Sequence, residues 1–253
     1  MCTLAFWPAN DQGRFFLLMN RDEAVARAPA TEVATFDASG MRGAYPLDPE
    51  GGGTWIGVNA RGLALALLNE NPEGWVEPVG RVFTTRGAFI PELLRDPAMT
   101  GIFEIERQLG MKSLEDFRPF RLVAVDTVAS SVKELVWDGV KFESQTRRRD
   151  PFLLSSSPFN GLGAGEWRET ELTRFTAALE GRVPTPADLF RLSALTARAD
   201  LPPAFGLSFD EKDYATVSTT VVEVPVSLTG ITLRYRLGRP HLSADGAIQE
   251  IAV

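Results

Sequence analysis

Residues 1–23 read MCTLAFWPANDQGRFFLLMNRDE. Two apolar runs, CTLAFWP and RFFLLMN, flank a stretch of turn-forming residues, ANDQGR. That pattern predicts a β-hairpin whose strands are buried on both faces. The end of the second strand then lies beside the start of the first. Asn20, Arg21, Asp22 and Glu23 are thereby set next to Cys2, the chain's one cysteine. A thiol at residue 2 has two readings. As a structural residue it is a small apolar group at a strand start. As a chemical one it becomes, once Met1 is removed, a nucleophile that carries its own base. An exposed α-amine has a pKa of about 8 and can take the thiol proton with no histidine involved.

The pattern continues outward from that hairpin. GGGTWIGVNARGLALALLN, residues 51–69, predicts a second hairpin, with strands at Thr54–Val58 and Leu63–Asn69 and a turn at NARG. Gly51 to Gly53 form its flexible entry. Thr84 or Thr85 is placed to cap a helix through RGAFIPELLRD, which Pro91 should interrupt. FRLVAVD and KELVWDG read as a strand pair, and PFLLSSSP as a strand ending in a polar turn. Two helices follow. In GEWRETELTRFTAALEG, Trp167, Leu172, Phe175 and Leu179 share a face and Gly181 ends the helix. In TPADLFRLSALTAR, Thr185 is the N-cap, Pro186 the first helical residue and Asp188 an acid in the first turn. ATVSTTVVEVP, GITLRYRLG and AIQEIAV return to strands. The order strands, helices, strands predicts an α+β or layered domain over residues 1–253 rather than a doubly wound parallel sheet.

Composition narrows the chemistry. The formal net charge of −7 argues against nucleic acid as a partner. The basic run TRRRD (Arg147, Arg148, Arg149) is short and reads as a solvated turn. One cysteine allows no internal disulfide and no cysteine-rich zinc site, and His241 is the one histidine, so no metal is expected. FFLLM is too short for a membrane span or secretion signal. The expectation is a cytoplasmic protein with a reduced thiol.

Asp22 is a candidate to hold the α-amine of Cys2 by a charge-assisted hydrogen bond. Arg21 is a candidate to lower the thiol pKa or to bind a substrate carboxylate. Asn69, at the end of an apolar strand, is a candidate oxyanion donor. Each has a plain counterpart: a strand exit for 20–23 and a turn former at Asn69.

These motifs carry a resemblance. MC at the start, NRDE at 20–23, GGTWIG at 52–57 and GLALALLN at 62–69 resemble the NRDE family, that of transport and Golgi organisation protein 2. TRG at 85–87, LLSSSP with the following EWR, and STTVVEV extend the match more loosely. The resemblance implies links to haem trafficking and to acyl-CoA or lipid handling. The opening cysteine, Asp22 and GLALALLN are also similar, more distantly, to the N-terminal-nucleophile amidohydrolases that cleave bile-salt conjugates and penicillin V. That resemblance implies a four-layer αββα sandwich. It gives Cys2, Asp22 and Asn69 the roles of nucleophile, amine-orienting acid and oxyanion donor. Asn20, Arg21 and Ser156 would contact substrate, and Glu23 and Trp55 would support the site. The chain departs from the hydrolases at three places: Leu18 or Met19 stands for an arginine, Ser156 for a second asparagine and Val217 for a late arginine.

Two functional readings follow. One is an N-terminal-cysteine hydrolase of a small amide, which requires no cofactor. The other is a carrier on the same scaffold for haem or an acyl-CoA, for which Cys2 and His241 are the available axial haem ligands. Trp55 and Gly57 are expected to be structural, with Trp55 packed beside the site.

Overall fold

The structure is a computed structural model that describes residues 2–8, 14–38, 40–157, 162–242 and 246–253, with the backbone alone at Arg14. Met1 and the expected hairpin turn at 9–13 lie outside the described residues. The strands are β1 (Cys2–Trp7), β2 (Arg14–Ala24), β3 (Val33–Ala38), β4 (Met41–Pro46), β5 (Ile56–Asn59), β6 (Leu63–Asn69), β7 (Phe120–Asp126), β8 (Ser131–Trp137), β9 (Phe142–Thr146), β10 (Phe152–Ser155), β11 (Tyr214–Pro225), β12 (Thr232–Leu237) and β13 (Ile248–Ala252). The helices are α1 (Phe89–Arg95), α2 (Ile102–Met111), α3 (Ala164–Ala178) and α4 (Pro186–Ser193).

Two antiparallel sheets result. One has the order β10-β1-β2-β11-β12-β13 and the other β3-β4-β5-β6-β7-β8-β9. The alternation of side chains along a strand assigns three cores. Leu4, Phe6, Phe15, Leu17 and Met19 meet Ile56, Val58, Ala64, Ala66, Val123 and Val125 between the sheets. Ala5, Trp7, Phe16 and Leu18, from the opposite face of β1 and β2, pack with Leu172, Leu189 and Phe190 from α3 and α4. Leu65, Leu67, Phe120 and Leu122 pack with Phe89, Ile90, Leu93, Ile102 and Ile105 from α1 and α2. The layers are therefore helix, sheet, sheet, helix, as the resemblance implied. Each fully buried large aliphatic or aromatic side chain contributes roughly 1.5–3 kcal/mol, so the doubly buried β1–β2 hairpin anchors two cores at once.

Several local expectations are refined. β5 begins at Ile56, because Thr54 turns its hydroxyl onto the Ile56 carbonyl at 3.1 Å. α1 begins at Phe89 and Pro91 lies in its first turn, where its missing N–H would have no helical acceptor, so the proline starts this helix rather than interrupting it. Thr85 precedes a short 3-10 turn, Arg86–Ala88, without a side-chain cap, and Thr84 bridges Phe117. α4 has the expected cap: the Thr185 hydroxyl accepts from the Asp188 N–H, and the Asp188 carboxylate accepts from the Thr185 N–H at 2.8 Å. It ends at Ser193, short of the expected run to Arg198. In the TRRRD run, Arg147 pairs with the buried Glu134 and Arg148 with Asp150, so only part of that run is a solvated turn. Among the described residues no helix is long and apolar enough to cross a membrane.

Candidate active site

Cys2 opens β1 and stands opposite Arg21 of β2. On its other side β1 pairs with β10, and the chain after β10 continues that pairing: the Ser156 N–H donates to the Cys2 carbonyl at 3.0 Å. The Cys2 N–H in turn donates to the Ser156 hydroxyl at 2.7 Å. Cys2 packs against the inter-sheet core. It lines a cleft of about 490 Å3 with Arg21, Asp22, Glu23, Trp55 and Asn69. Burial pushes the Cys2 thiol up, while the Asp22 backbone N–H and the Arg21 charge oppose that shift.

Alternation along β2 explains what the neighbouring residues do. Arg21 is on the inter-sheet face, its guanidinium 4.3 Å from the centre of the Trp55 ring. It also reaches Asp48 at 3.4 Å and Glu23 at 3.5 Å. Arg27 binds the same Asp48 at 2.8 Å. Asp22 is on the other face, 4% exposed. Its carboxyl is pushed up to about 6 by burial, which the Thr216 hydroxyl partly offsets through a 2.7 Å hydrogen bond. A register shift between Thr216 and Ser218 makes Val217 a bulge in β11. Val217, which stands where the hydrolases have an arginine, is thus the residue whose insertion sets Thr216 opposite Asp22.

Asn69 closes β6 at the cleft, exposed, and its amide makes no hydrogen bond among the described residues. Ser156 sits behind Cys2 rather than in the cleft wall. Asn20 departs from the expected convergence. It shares a face with Asp22, but there the helical layer covers the sheet. Its amide donates to the Ser193 and Leu207 carbonyls at 2.8 and 2.7 Å, and its oxygen accepts from Thr219 at 2.7 Å. Every polar atom of that side chain is engaged in tying α4 to the sheet, so Asn20 is a scaffold residue. His241 also lies elsewhere. It lines a separate cleft, with its Nδ1 2.6 Å from the Ser208 hydroxyl. Cys2 and His241 therefore line different clefts. Among the described residues no group of three or more metal-ligating side chains is present.

Residues outside the predicted set complete the site. Arg86 lines the cleft from the TRG segment. Its position is set by two glycines: a Cβ on Gly53 would lie 2.3 Å from the Gly87 carbonyl carbon, and one on Gly87 would lie 2.8 Å from the Thr54 oxygen. The Thr54 N–H donates to the Gly87 carbonyl at 3.0 Å. The GGTWIG and TRG motifs are thus one interlocked turn. Arg168, from the EWR segment, is 1% exposed. It donates to the Ala204 and Phe205 carbonyls at 2.6 and 3.1 Å and to the Ser155 hydroxyl at 2.6 Å. Its charge helps keep Asp22 ionised. The sequence signalled both arginines through the motifs that hold them, but not their roles.

The helix–sheet–sheet–helix sandwich alone defines the class: a chain with the N-terminal-nucleophile hydrolase fold. Solved structures agree on the fold. A penicillin V acylase from Agrobacterium tumefaciens superposes with a TM-score of 0.61 at 12% identity, covering 100% of this chain and 86% of that one. A conjugated bile acid hydrolase from Clostridium perfringens, in a variant lacking its cysteine, gives 0.59 at 11%, covering 100% and 92%. An N-acylethanolamine-hydrolyzing acid amidase ortholog from Caenorhabditis elegans gives 0.61 at 15%, covering 87% and 92%. Within that class the chain belongs to the Transport and Golgi organisation 2 family, whose model matches residues 1–180. Among curated proteins no sequence matches it.

Proposed function

We propose that this chain, once Met1 is removed, is an N-terminal-cysteine hydrolase that cleaves a C–N bond of a small amide. The observation that carries the reading is the cleft itself: Cys2, Asp22 and Asn69 from three separate strands line it together. In this mechanism the α-amine of Cys2 takes the thiol proton and the sulfur attacks the amide carbonyl carbon. The Asn69 amide donates to the oxygen that becomes negative. The protonated amine, oriented by Asp22, gives its proton to the leaving nitrogen as the C–N bond breaks. Water then attacks the thioester, losing its proton to the amine, and releases the acid and the thiol. Ser156 positions the residue 2 nitrogen. We further propose a reducing cytoplasmic setting, small-molecule partners rather than nucleic acid, and no cofactor.

The test screens Met1-free protein against N-acyl amino acids, β-lactams and acyl-CoA, with thiol alkylation as control. Turnover should vanish in Cys2→Ser and on alkylation. Asn69→Ala should lower kcat about 100- to 1000-fold. Hydrolysis insensitive to alkylation would remove Cys2 from the mechanism.

One observation favours a second reading, a non-catalytic carrier for an acyl-CoA or haem. Burial pushes the Cys2 thiol pKa up, which suits a structural cysteine. On this reading Cys2→Ser binds ligand normally, and no amide is turned over.

A further inference from the structure

Arg21, Arg27, Arg86 and Arg118 all line the cleft. Three of them are already neutralised at the wall. Arg21 is paired with Asp48 and Glu23 at 3.4 and 3.5 Å. Arg27 holds Asp48 at 2.8 Å. Arg118 grips Glu77 with two hydrogen bonds of 2.8 and 2.6 Å. Arg86 differs. Among the described residues it makes no ion pair, and its one hydrogen bond runs from Nη1 to the Pro119 carbonyl at 2.7 Å. That bond fixes the guanidinium, and its remaining donors meet no acceptor among the described residues.

A half-buried cation without a direct ion-pair partner among the described residues gains less compensation for its burial than its paired neighbours do. Burial, and next the charge of Arg118, lower the Arg86 pKa, while Cys2, Glu77 and Glu23 raise it without reaching ion-pair distance. An anion that enters the cleft supplies that compensation. The planar fork of a guanidinium fits a carboxylate or a phosphate.

We infer that Arg86 anchors an oxyanion of the substrate, a carboxylate or a phosphate, in the cleft beside Cys2. The substrate class is then an amide that carries such a group close to the scissile bond. As a statement about substrate this rests on the hydrolase reading; as a statement about binding it does not.

The experiment compares matched amides: N-decanoylglycine against N-decanoylglycinamide for the carboxylate, and N-decanoyl-O-phosphoethanolamine against N-decanoylethanolamine for the phosphate. Met1-free wild type, Arg86→Gln and Arg86→Lys are assayed for kcat and KM. The same four compounds are titrated calorimetrically into Cys2→Ser and into Cys2→Ser combined with Arg86→Gln. Wild type should prefer one charged member about 10- to 100-fold in kcat/KM, mainly through KM. Arg86→Gln should collapse that ratio towards one, and Arg86→Lys should keep part of it. A merely structural arginine would change both members of a pair alike, which overturns the inference, as does a wild type without preference. The larger of the two charged preferences identifies the anion. If no amide is turned over, the hydrolase reading fails, and the calorimetric ratio decides the anion site. A Kd preference lost with Arg86→Gln supports it, and equal Kd values within each pair overturn it. Because the wild-type ratio is itself a test, misfolding of a variant leaves the inference falsifiable.

Discussion

Asp22 is a carboxyl that the fold makes expensive to ionise. Burial pushes it up to about 6, so the folded chain binds its proton more tightly than the unfolded chain does. Linkage then fixes the sign: stability is greatest below the unfolded pKa and falls as pH rises through about 6. The loss is of the order of 3 kcal/mol. Denaturant midpoints of the Met1-bearing protein should therefore drop between about pH 4 and 6, and Asp22→Asn should flatten that slope. An unchanged slope would mean that another group titrates there. Cys2 allows a parallel experiment. With Met1 present, burial raises the thiol pKa, so alkylation by iodoacetamide should be slow at neutral pH, with a midpoint above the ordinary thiol range. A free α-amine beside Asp22 should accelerate it, which rate measurements on the two forms would show. That Cys2 lies beside residues 20–23 follows from the hairpin alone, whereas bringing Asn69 to the same cleft takes the two-sheet sandwich that the resemblance implied. Asn20 was not legible as a scaffold residue. Its orientation follows from alternation along β2, but what covers that face, the Ser193 end of α4, is remote in sequence.

At the scale of elements, the interlocked GGTWIG and TRG turns hold Arg86 at the cleft. Gly53→Ala places a methyl 2.3 Å from the Gly87 carbonyl carbon. Neither backbone can yield without parting the turns, so a loss of about 1–3 kcal/mol or more is expected, together with weaker ligand binding. Thermal melting and calorimetry of the variant check both. At α4, Thr185→Ala removes one half of a capping box. It should cost about 1 kcal/mol with the cleft unaffected, a control for general destabilisation. The elements that read clearly in the sequence are those with one buried and one exposed face, or with two buried faces. α2 is blurred because Phe103 and Met111 are apolar yet exposed, which breaks the pattern set by Ile102, Ile105 and Leu109. β3 is an edge strand on which Phe36 alone is buried, so its alternation is faint. Pro91 misleads until the helix start is known, since a proline is unfavourable within a helix and favourable in its first turn.

For the whole molecule, function depends on bringing distant segments to one end of two sheets. The β1–β2 hairpin is local. The pairing of β2 with β11 and of β1 with β10 joins segments far apart in the chain. Residue patterns predict that such strands exist but not which ones pair, so Thr216 and Arg168 could not be placed at Asp22 from sequence alone. The bulge at Val217 is invisible there for the same reason: it is a mismatch between two strands. The layered αββα architecture, by contrast, was legible through the motifs. The proposed nucleophile in this cleft is a freed Cys2. Intact-mass spectrometry of the protein made in its own host, before and after brief incubation with N-acyl amides and β-lactams, checks that role. The expected result is a chain lacking Met1 that gains one acyl group, mapped to Cys2 and absent from Cys2→Ser. A chain that keeps Met1 throughout, or amide turnover with no dependence on Cys2, would contradict it.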